Sequence, residues 1–256
     1  MAATTKIVLI MEYDGTRYYG FQLQLNETTI QGETETAIFK LTREKRRVIA
    51  ASRTDTGVHA KGQVVSFLTE SPLPVETFVN GLNYYLPKDI AVKEAHRVEK
   101  SFNVRREAIS REYNYYILNS LTRSPIKQGF SYLVKGQLNV EAMNQACQAL
   151  IGEHDFASFA SSVEAKLKNT VRKVYEAAVK REGEMVIFRI VANSFLPHQV
   201  RNTVGTLIRI GLGKMNLDEF YSIMNAKKFG LAGPTIPACG LCLMRINYPA
   251  PWSEVK

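Results

Sequence analysis

The alternation of apolar and polar positions predicts short strands and amphipathic helices in a repeated order. Lys6 to Tyr13 is a nearly unbroken apolar run that stops at the turn signal Asp14-Gly15-Thr16, as a mostly buried strand does. Between Thr28 and Lys45 the residues Ile30, Ala37, Ile38 and Leu41 form an irregular apolar face, and Thr28 with Gln31 offers a capping box, so a helix is expected. Two strand-like runs follow, Arg47 to Ala50 and Gln63 to Phe67, on either side of a polar turn. Pro74 opens a second helix in which Phe78, Val79, Leu82, Tyr85 and Leu86 recur at helical spacing; Pro87 ends it, and Ile90 to Val98 reads as a strand.

This β-α-β-β-α-β order is that of the ferredoxin-like unit, an antiparallel sheet with two helices on one face. The second half of the chain repeats the order without repeating the sequence. Arg111 to Ser120 is a strand, Asn139 caps a helix carrying Val140, Met143, Cys147 and Leu150 and stopped at Gly152, and Val171 to Lys180 with Glu184 to Ala192 form a hairpin through Arg181-Glu182-Gly183. Pro197 starts a helix with Val200, Val204, Leu207, Ile208 and Gly211 as its stripe, Asn216 caps another with Asp218 and Glu219 in its first turn, and Leu241 to Ile246 is a closing strand. The expected fold class is therefore α+β: two ferredoxin-like or RRM-like halves, 1–105 and 106–256, whose mainly antiparallel sheets meet at a central basic cleft.

Charge changes the picture from an ordinary globular protein to one with a polyanionic partner. The 256 residues are 45% hydrophobic, enough for a packed core, yet the formal net charge is +9. Arg43, Lys45, Arg46 and Arg47 form one basic run, and Arg97, Lys100, Arg105, Arg106 and Arg111 another; nucleic acid is the partner that such runs suit. Neither an apolar run of transmembrane length nor a basic amphipathic helix points to a membrane, and the N-terminus lacks the order of a signal peptide, so a cytoplasmic protein is expected. Three cysteines, Cys147, Cys239 and Cys242, are not a disulfide framework, and a lone Cys-x-x-Cys supplies only two zinc ligands.

Candidate chemistry concentrates in Ala51-Ser52-Arg53-Thr54-Asp55-Thr56-Gly57-Val58-His59-Ala60, with Asp55 at its centre. Gly57 lets the chain reverse directly after the carboxylate and lets another backbone or a ligand come close. A capping turn is the plain alternative for an Asp-x-Gly. Asp55-Thr56-Gly57 matches the aspartic-protease triplet, but no second Asp-[Ser/Thr]-Gly exists to share a proton, and Arg53 would hold the acid ionised. His59-Ala60-Lys61 with Pro237 to Cys242 fails the zinc deaminase pattern, since Lys61 stands where the glutamate must be. Lys61 to Phe67 lacks the interior aromatics of an RNA-recognition strand.

Arg53 to Ala60 resembles the Arg-Thr-Asp-x-Gly-Val-His signature of the tRNA pseudouridine synthase A family, and further blocks follow in that family's order. They are Tyr13-Asp14-Gly15 with Tyr19 to Gln22, Ile30 to Glu33, Gly62 to Val65, Phe102 to Arg105, Arg111 to Tyr115, Gly152 to Phe156 and His198 to Gly205. The resemblance implies isomerisation of uridine to pseudouridine at positions 38, 39 and 40 of the tRNA anticodon stem-loop, by a homodimer without cofactor or metal. It places the catalytic nucleophile at Asp55, attacking ribose or ring, the base-flipping arginine at Arg53, the uracil-packing tyrosine at Tyr113 and a second arginine at Arg201. Read as chemistry, a stem uridine has to leave the stack to be reached, and a guanidinium beside the acid can fill the vacated space. Arg201 sits at the margin of its helix's apolar stripe and needs an anion, a part that Asp55 would fill. Ser52, Thr56 and Pro197 depart from residues frequent in bacterial members. The competing expectation is a non-catalytic RNA-binding protein of two RRM-like halves; it leaves an acid at the centre of a basic cleft unexplained.

Overall fold

A computed structural model describes residues 4–161 and 169–249, so the first three residues, on which the N-terminal reading partly rests, lie outside it. By internal contacts the chain divides into two units, Met1–Arg111 with Leu243–Lys256, and Glu112–Cys242. The sequence reading divides the chain into 1–105 and 106–256, whereas the contacts divide it at 111/112 and return the C-terminal residues to the first unit. Both units mix helices with a sheet, and the sheet is mainly antiparallel.

In the first unit, β1 (Thr5–Tyr13) is central, flanked antiparallel by β4 (Ile90–Val98) and β3 (His59–Thr69). Beyond β3 come the two-residue β2 (Ile49–Ala50) and the Leu243-to-Asn247 part of the C-terminal strand. The strand order 4-1-3-2 is that of a ferredoxin-like sheet. Ile7, Val8 and Leu9 are fully buried, so both faces of β1 are covered, which is why its sequence reads as a continuous apolar run. Helices α1 (Ile30–Thr42) and α2 (Val75–Tyr85) belong to this unit. Phe78 of α2 meets Phe67 of β3 edge-on at 5.9 Å, and Leu82 one turn later is fully buried. Gly81 has no side chain because Leu41 of α1 occupies the place a Cβ would take, at 2.6 Å.

Two expectations are corrected here by side chains that take over backbone partners. The N-cap of α1 is Thr29, not Thr28, with its hydroxyl accepting from Gly32 N at 3.2 Å. Gln31 is thereby moved inside the helix, where its amide carbonyl accepts from Leu23 N (3.0 Å) and its amino group donates to Glu35 (2.7 Å) and the Val48 carbonyl (3.2 Å). The strand expected over 47–50 shrinks to 49–50 for the same reason: Val48 N–H donates to Glu35 (3.0 Å) and Val48 C=O accepts from Gln31, so α1 consumes the groups a ladder needs.

The second unit has strand order β5 (Ser110–Asn119), β9 (Met185–Ala192), β8 (Val171–Glu182), β7 (Gly152–Asp155), with the short β6 (Tyr132–Val134) parallel to β5. Neither β6 nor β7 was legible as a strand, being three and four residues long. The β8–β9 hairpin reverses at Gly183-Glu184, with Glu182 opposite Met185, so Arg181 and Glu182 are strand rather than turn. Helix α3 (Val140–Leu150) is capped by Asn139 as expected, with Met143, Ala146, Cys147 and Leu150 buried. Burial pushes the Cys147 thiol up to about 12, which keeps it an inert core residue. Helix α4 (Gln199–Gly211) begins two residues after Pro197, because His198 lies in the left-handed region at φ 60°. Helix α5 (Leu217–Ala226) has a complete capping box between Asn216 and Glu219. The C-terminal strand β10 (Leu241–Asn247) starts in this unit and continues into the first.

Replacing Leu82 by alanine removes the buried tooth of α2 and is expected to cost about 2–5 kcal/mol. Urea unfolding checks it: the midpoint should fall at an unchanged slope, and an unmoved midpoint would mean that α2 does not seal this core.

Candidate active site

The Asp55 turn is held mainly from below, by backbone. Val58 N–H donates to the Asp55 carbonyl at 3.1 Å, and Gly57, at φ 77°, supplies the positive dihedral the reversal demands. The loop from Asp14 to Phe21 lies directly against this turn. Gly57 N–H donates to the Tyr18 carbonyl (3.3 Å), and Phe21 N–H to the Thr54 carbonyl (3.0 Å). A Cβ on Gly20 would stand 2.8 Å from the Thr54 carbonyl oxygen and 3.2 Å from the Asp55 carbonyl carbon; one on Gly15 would stand 2.0 Å from the Val58 oxygen. The close approach that Gly57 suggested is therefore made by the chain's own loop, at Gly15 and Gly20.

That loop is anchored in turn at Asp89. Tyr18 Oη donates to its carboxylate at 2.6 Å and Arg17 does so through Nε (2.9 Å) and Nη2 (2.5 Å), while Asp14 N–H donates to the Asp89 carbonyl (2.9 Å). Burial alone would raise the Asp89 carboxyl, but the hydrogen bonds from Tyr18 and Arg17 outweigh it and hold the acid below the ordinary carboxylate range. At the far end of the motif, Gly15 N–H donates to Nδ1 of the buried His59 at 3.1 Å.

A buried polar network clamps the residues on both sides of Arg53. Gln63 is fully buried on β3; its amino group donates to the Ser52 carbonyl (2.7 Å) and to Tyr13 Oη (3.3 Å), and its carbonyl accepts from Ser52 N–H (3.4 Å). Tyr13 Oη in turn shares a 2.8 Å hydrogen bond with the hydroxyl of buried Thr54. Ser52 and Thr54 are fixed, so the exposed Arg53 between them projects from a rigid backbone, with the half-buried Asp55 next but one along.

Tyr113 and Arg201 belong to the second unit. Tyr113 lies on β5, 6% exposed, with its ring edge-on to Phe195 at 5.2 Å. Its neighbour Glu112 is fastened by Arg189 of β9, whose Nε donates to the carboxylate at 2.7 Å. Arg201, on the first turns of α4, donates through Nε to the Ile236 carbonyl at 2.7 Å. The 233–237 segment it touches is pressed onto α4 at Gly205, where a Cβ would meet the Pro234 oxygen at 2.0 Å. Thr206 Oγ1 also accepts from Gly233 N–H (3.0 Å). The sequence marks Arg53 and Asp55 as candidates but does not show what fixes their turn: Gly15, Gly20, Gln63, Tyr13 and Asp89. The signals available were the family blocks that contain Tyr13, Gly15, Gly20 and Gln63, and a polar Gln63 within a largely apolar run, since a buried amide has to be bonded.

Among the described residues no group of three or more His, Cys, Asp or Glu is placed to hold a metal ion. No helix among them is long and apolar enough to cross a membrane. A carboxylate on a rigid turn beside an exposed guanidinium is equipped for nucleophilic chemistry on an anionic substrate.

A family model described as tRNA pseudouridine synthase matches residues 9–105 and 146–249, which include Arg53, Asp55 and Arg201 but not Tyr113. The chain belongs to that family, and so to the isomerases that act on RNA. It is 43% identical over 243 residues to tRNA pseudouridine synthase A of an Exiguobacterium species, covering 95% of this chain and 98% of the relative. It is 42% identical over 242 residues to the enzyme of the same name from Thermoanaerobacter pseudethanolicus, covering 94% and 99%. A family of enzymes does not favour the non-catalytic RNA-binding alternative.

Gln63→Leu keeps the shape of the buried side chain but strands the Ser52 carbonyl, and is expected to cost about 1–3 kcal/mol of stability. Because the clamp sets the aim of Arg53, uridine isomerisation should fall by more than the folded fraction does. Circular dichroism melts beside turnover at a temperature where the variant is folded would decide it; unimpaired turnover there would remove Gln63 from the positioning shell.

Proposed function

We propose that the chain converts uridine to pseudouridine at positions 38, 39 and 40 of the tRNA anticodon stem-loop, acting in the cytoplasm as a homodimer, with Asp55 as the nucleophile. The observation that carries this is the Asp55 turn itself: a carboxylate held by backbone packing at Gly15 and Gly20, with Arg53 on the same rigid stretch. The Asp55 carboxylate bonds to the ribose or the ring as the C1′–N1 bond breaks; the uracil turns; a C1′–C5 bond forms and the bond to Asp55 breaks; the C5 proton leaves to water and N1 takes one up. No oxidant or reductant enters, since the product is an isomer of the substrate, and one carboxylate suffices.

Arg53 would occupy the space that the extruded base leaves, which is why its backbone has to be rigid while its side chain stays in solvent. Tyr113 would pack on the uracil and Arg201 would contribute charge. Both stand on elements braced by buried hydrogen bonds, Glu112 with Arg189 and α4 with the 233–237 segment, and such bracing supports a binding role.

Tritium release from [5-³H]uridine-labelled tRNA tests the reading directly. Wild type should release the label, and Asp55→Asn should lose release by roughly four orders of magnitude or more while tRNA binding persists, since a covalent step loses its nucleophile. Binding without release by wild type on any tRNA would overturn the enzyme reading and leave a binding module.

A further inference from the structure

A second arginine is built into the Arg53 site of the first unit, and the site's known chemistry does not use it. Arg105 sits in a loop whose backbone is tied at every step. Asn103 Oδ1 accepts from Arg105 N–H and Arg106 N–H, both at 3.1 Å, Asn103 N–H donates to Glu107 (2.6 Å), and Tyr248 Oη donates to the Val104 carbonyl (2.6 Å). One atom then joins this loop to the catalytic stretch. Nη2 of the buried Arg111 donates both to the Arg105 carbonyl (2.9 Å) and to the Ala51 carbonyl (3.2 Å), and its Nη1 to the Ala108 carbonyl (3.1 Å). The residue carrying Arg105's side chain and the segment leading into Arg53 are thus stapled at a single nitrogen.

Both side chains reach solvent, and among the described residues neither guanidinium has a hydrogen bond or ion pair. They feel each other: the charged form of Arg105 is disfavoured first by partial desolvation and then by the charge of Arg53. Two cations whose backbones are joined by a buried staple, and which repel each other, form a cradle whose repulsion is relieved when an anion bridges them. Extruding a nucleotide swings its backbone outward, so the strand needs a fixed grip on a phosphate beside the flipped base.

Resting on the reading of the Asp55 turn as the isomerisation site, we propose that Arg53, reaching along the space the extruded base leaves, and Arg105 converge on one phosphodiester of the RNA strand next to the target uridine, with Arg111 as the positioning residue that sets their spacing. Arg105 is then a substrate-binding residue of the reaction, and phosphate contact, not base contact, is its part.

A two-arginine cycle tests this on the full-length protein: wild type, Arg53→Ala, Arg105→Ala, the double variant and Arg105→Lys, each assayed for tRNA binding across a salt series, for tritium release and for thermal unfolding. Arg105→Ala should weaken binding roughly tenfold, lower the salt slope by about 0.7–0.9, and leave the melting temperature unchanged. Arg105→Lys should restore the slope but only part of the affinity, since it loses the bidentate fork. The decisive expectation is non-additivity: with one shared phosphate, the double variant binds far better than the product of the two single losses, and its slope falls by about one contact. Losses that multiply, with a slope falling by about two contacts, would overturn the shared grip; so would unaltered binding by Arg105→Ala, or a lowered melting temperature in both Arg105 variants. Absence of release by wild type would instead strike the underlying isomerase reading, which separates the two failures.

Discussion

Backbone-on-backbone packing between the 14–21 loop and the 54–58 turn is the constraint on which the rest of this site depends. Side-chain hydrogen bonds can adapt by rotamer, but a peptide unit facing a peptide unit at Gly15 and Gly20 leaves no room even for a methyl group. The Asp55 carboxylate is therefore placed by two rigid objects, the end of a strand paired on both sides and a second stretch of main chain. That explains the length of β3 as well. The strand starts at His59, within the motif itself, so the turn is the mouth of a paired strand rather than a free loop.

Rigidity at the turn is distributed outward through groups that each satisfy two demands. Asp89 closes the 14–21 loop and accepts from both Arg17 and Tyr18; Gln63 satisfies Ser52 on both its N–H and its C=O; Gln31 and Glu35 fasten the chain entering the turn at Val48. A buried polar group left without partners costs more than a satisfied one contributes, so such networks are all-or-none. The effect is that Ser52, Thr54 and Asp55 cannot shift separately. In the proposed role of Asp55 as nucleophile, which requires meeting a sugar or ring carbon closely, that coupling is an advantage.

The sequence showed the architecture where apolar periodicity is long and uninterrupted: β1, α2, α3 and the β8–β9 pair all stand where the pattern puts them. It failed where side chains substitute for ladder partners. Arg47 and Val48 look like strand because Val48 is β-branched and apolar, but Glu35 and Gln31, a dozen or more residues away, take its backbone groups, and no local pattern encodes that. Thr28 with Gln31 fits a capping box by spacing, but Thr29 caps the helix and Gln31 bonds Leu23, Glu35 and Val48 instead. For the site, Arg53 and Asp55 stand out as candidates because their types are unusual together, while the residues that brace their turn do not. A glycine at 20 or a glutamine at 63 acquires meaning only when the chain that faces it is known.

The placement of Arg53 and Arg105 follows from the same logic carried to charge. Arginines in a fold usually find carboxylates; here Arg46 pairs with Glu44 and Glu70, and Arg189 with Glu112 and Glu176. Leaving two guanidiniums near each other without an acid costs stability, and marginally stable proteins keep such costs where function requires them. A strand phosphate supplies the missing charge only when RNA is bound, so part of the repulsion between the arginines is released on binding and contributes to holding the nucleotide in its extruded form.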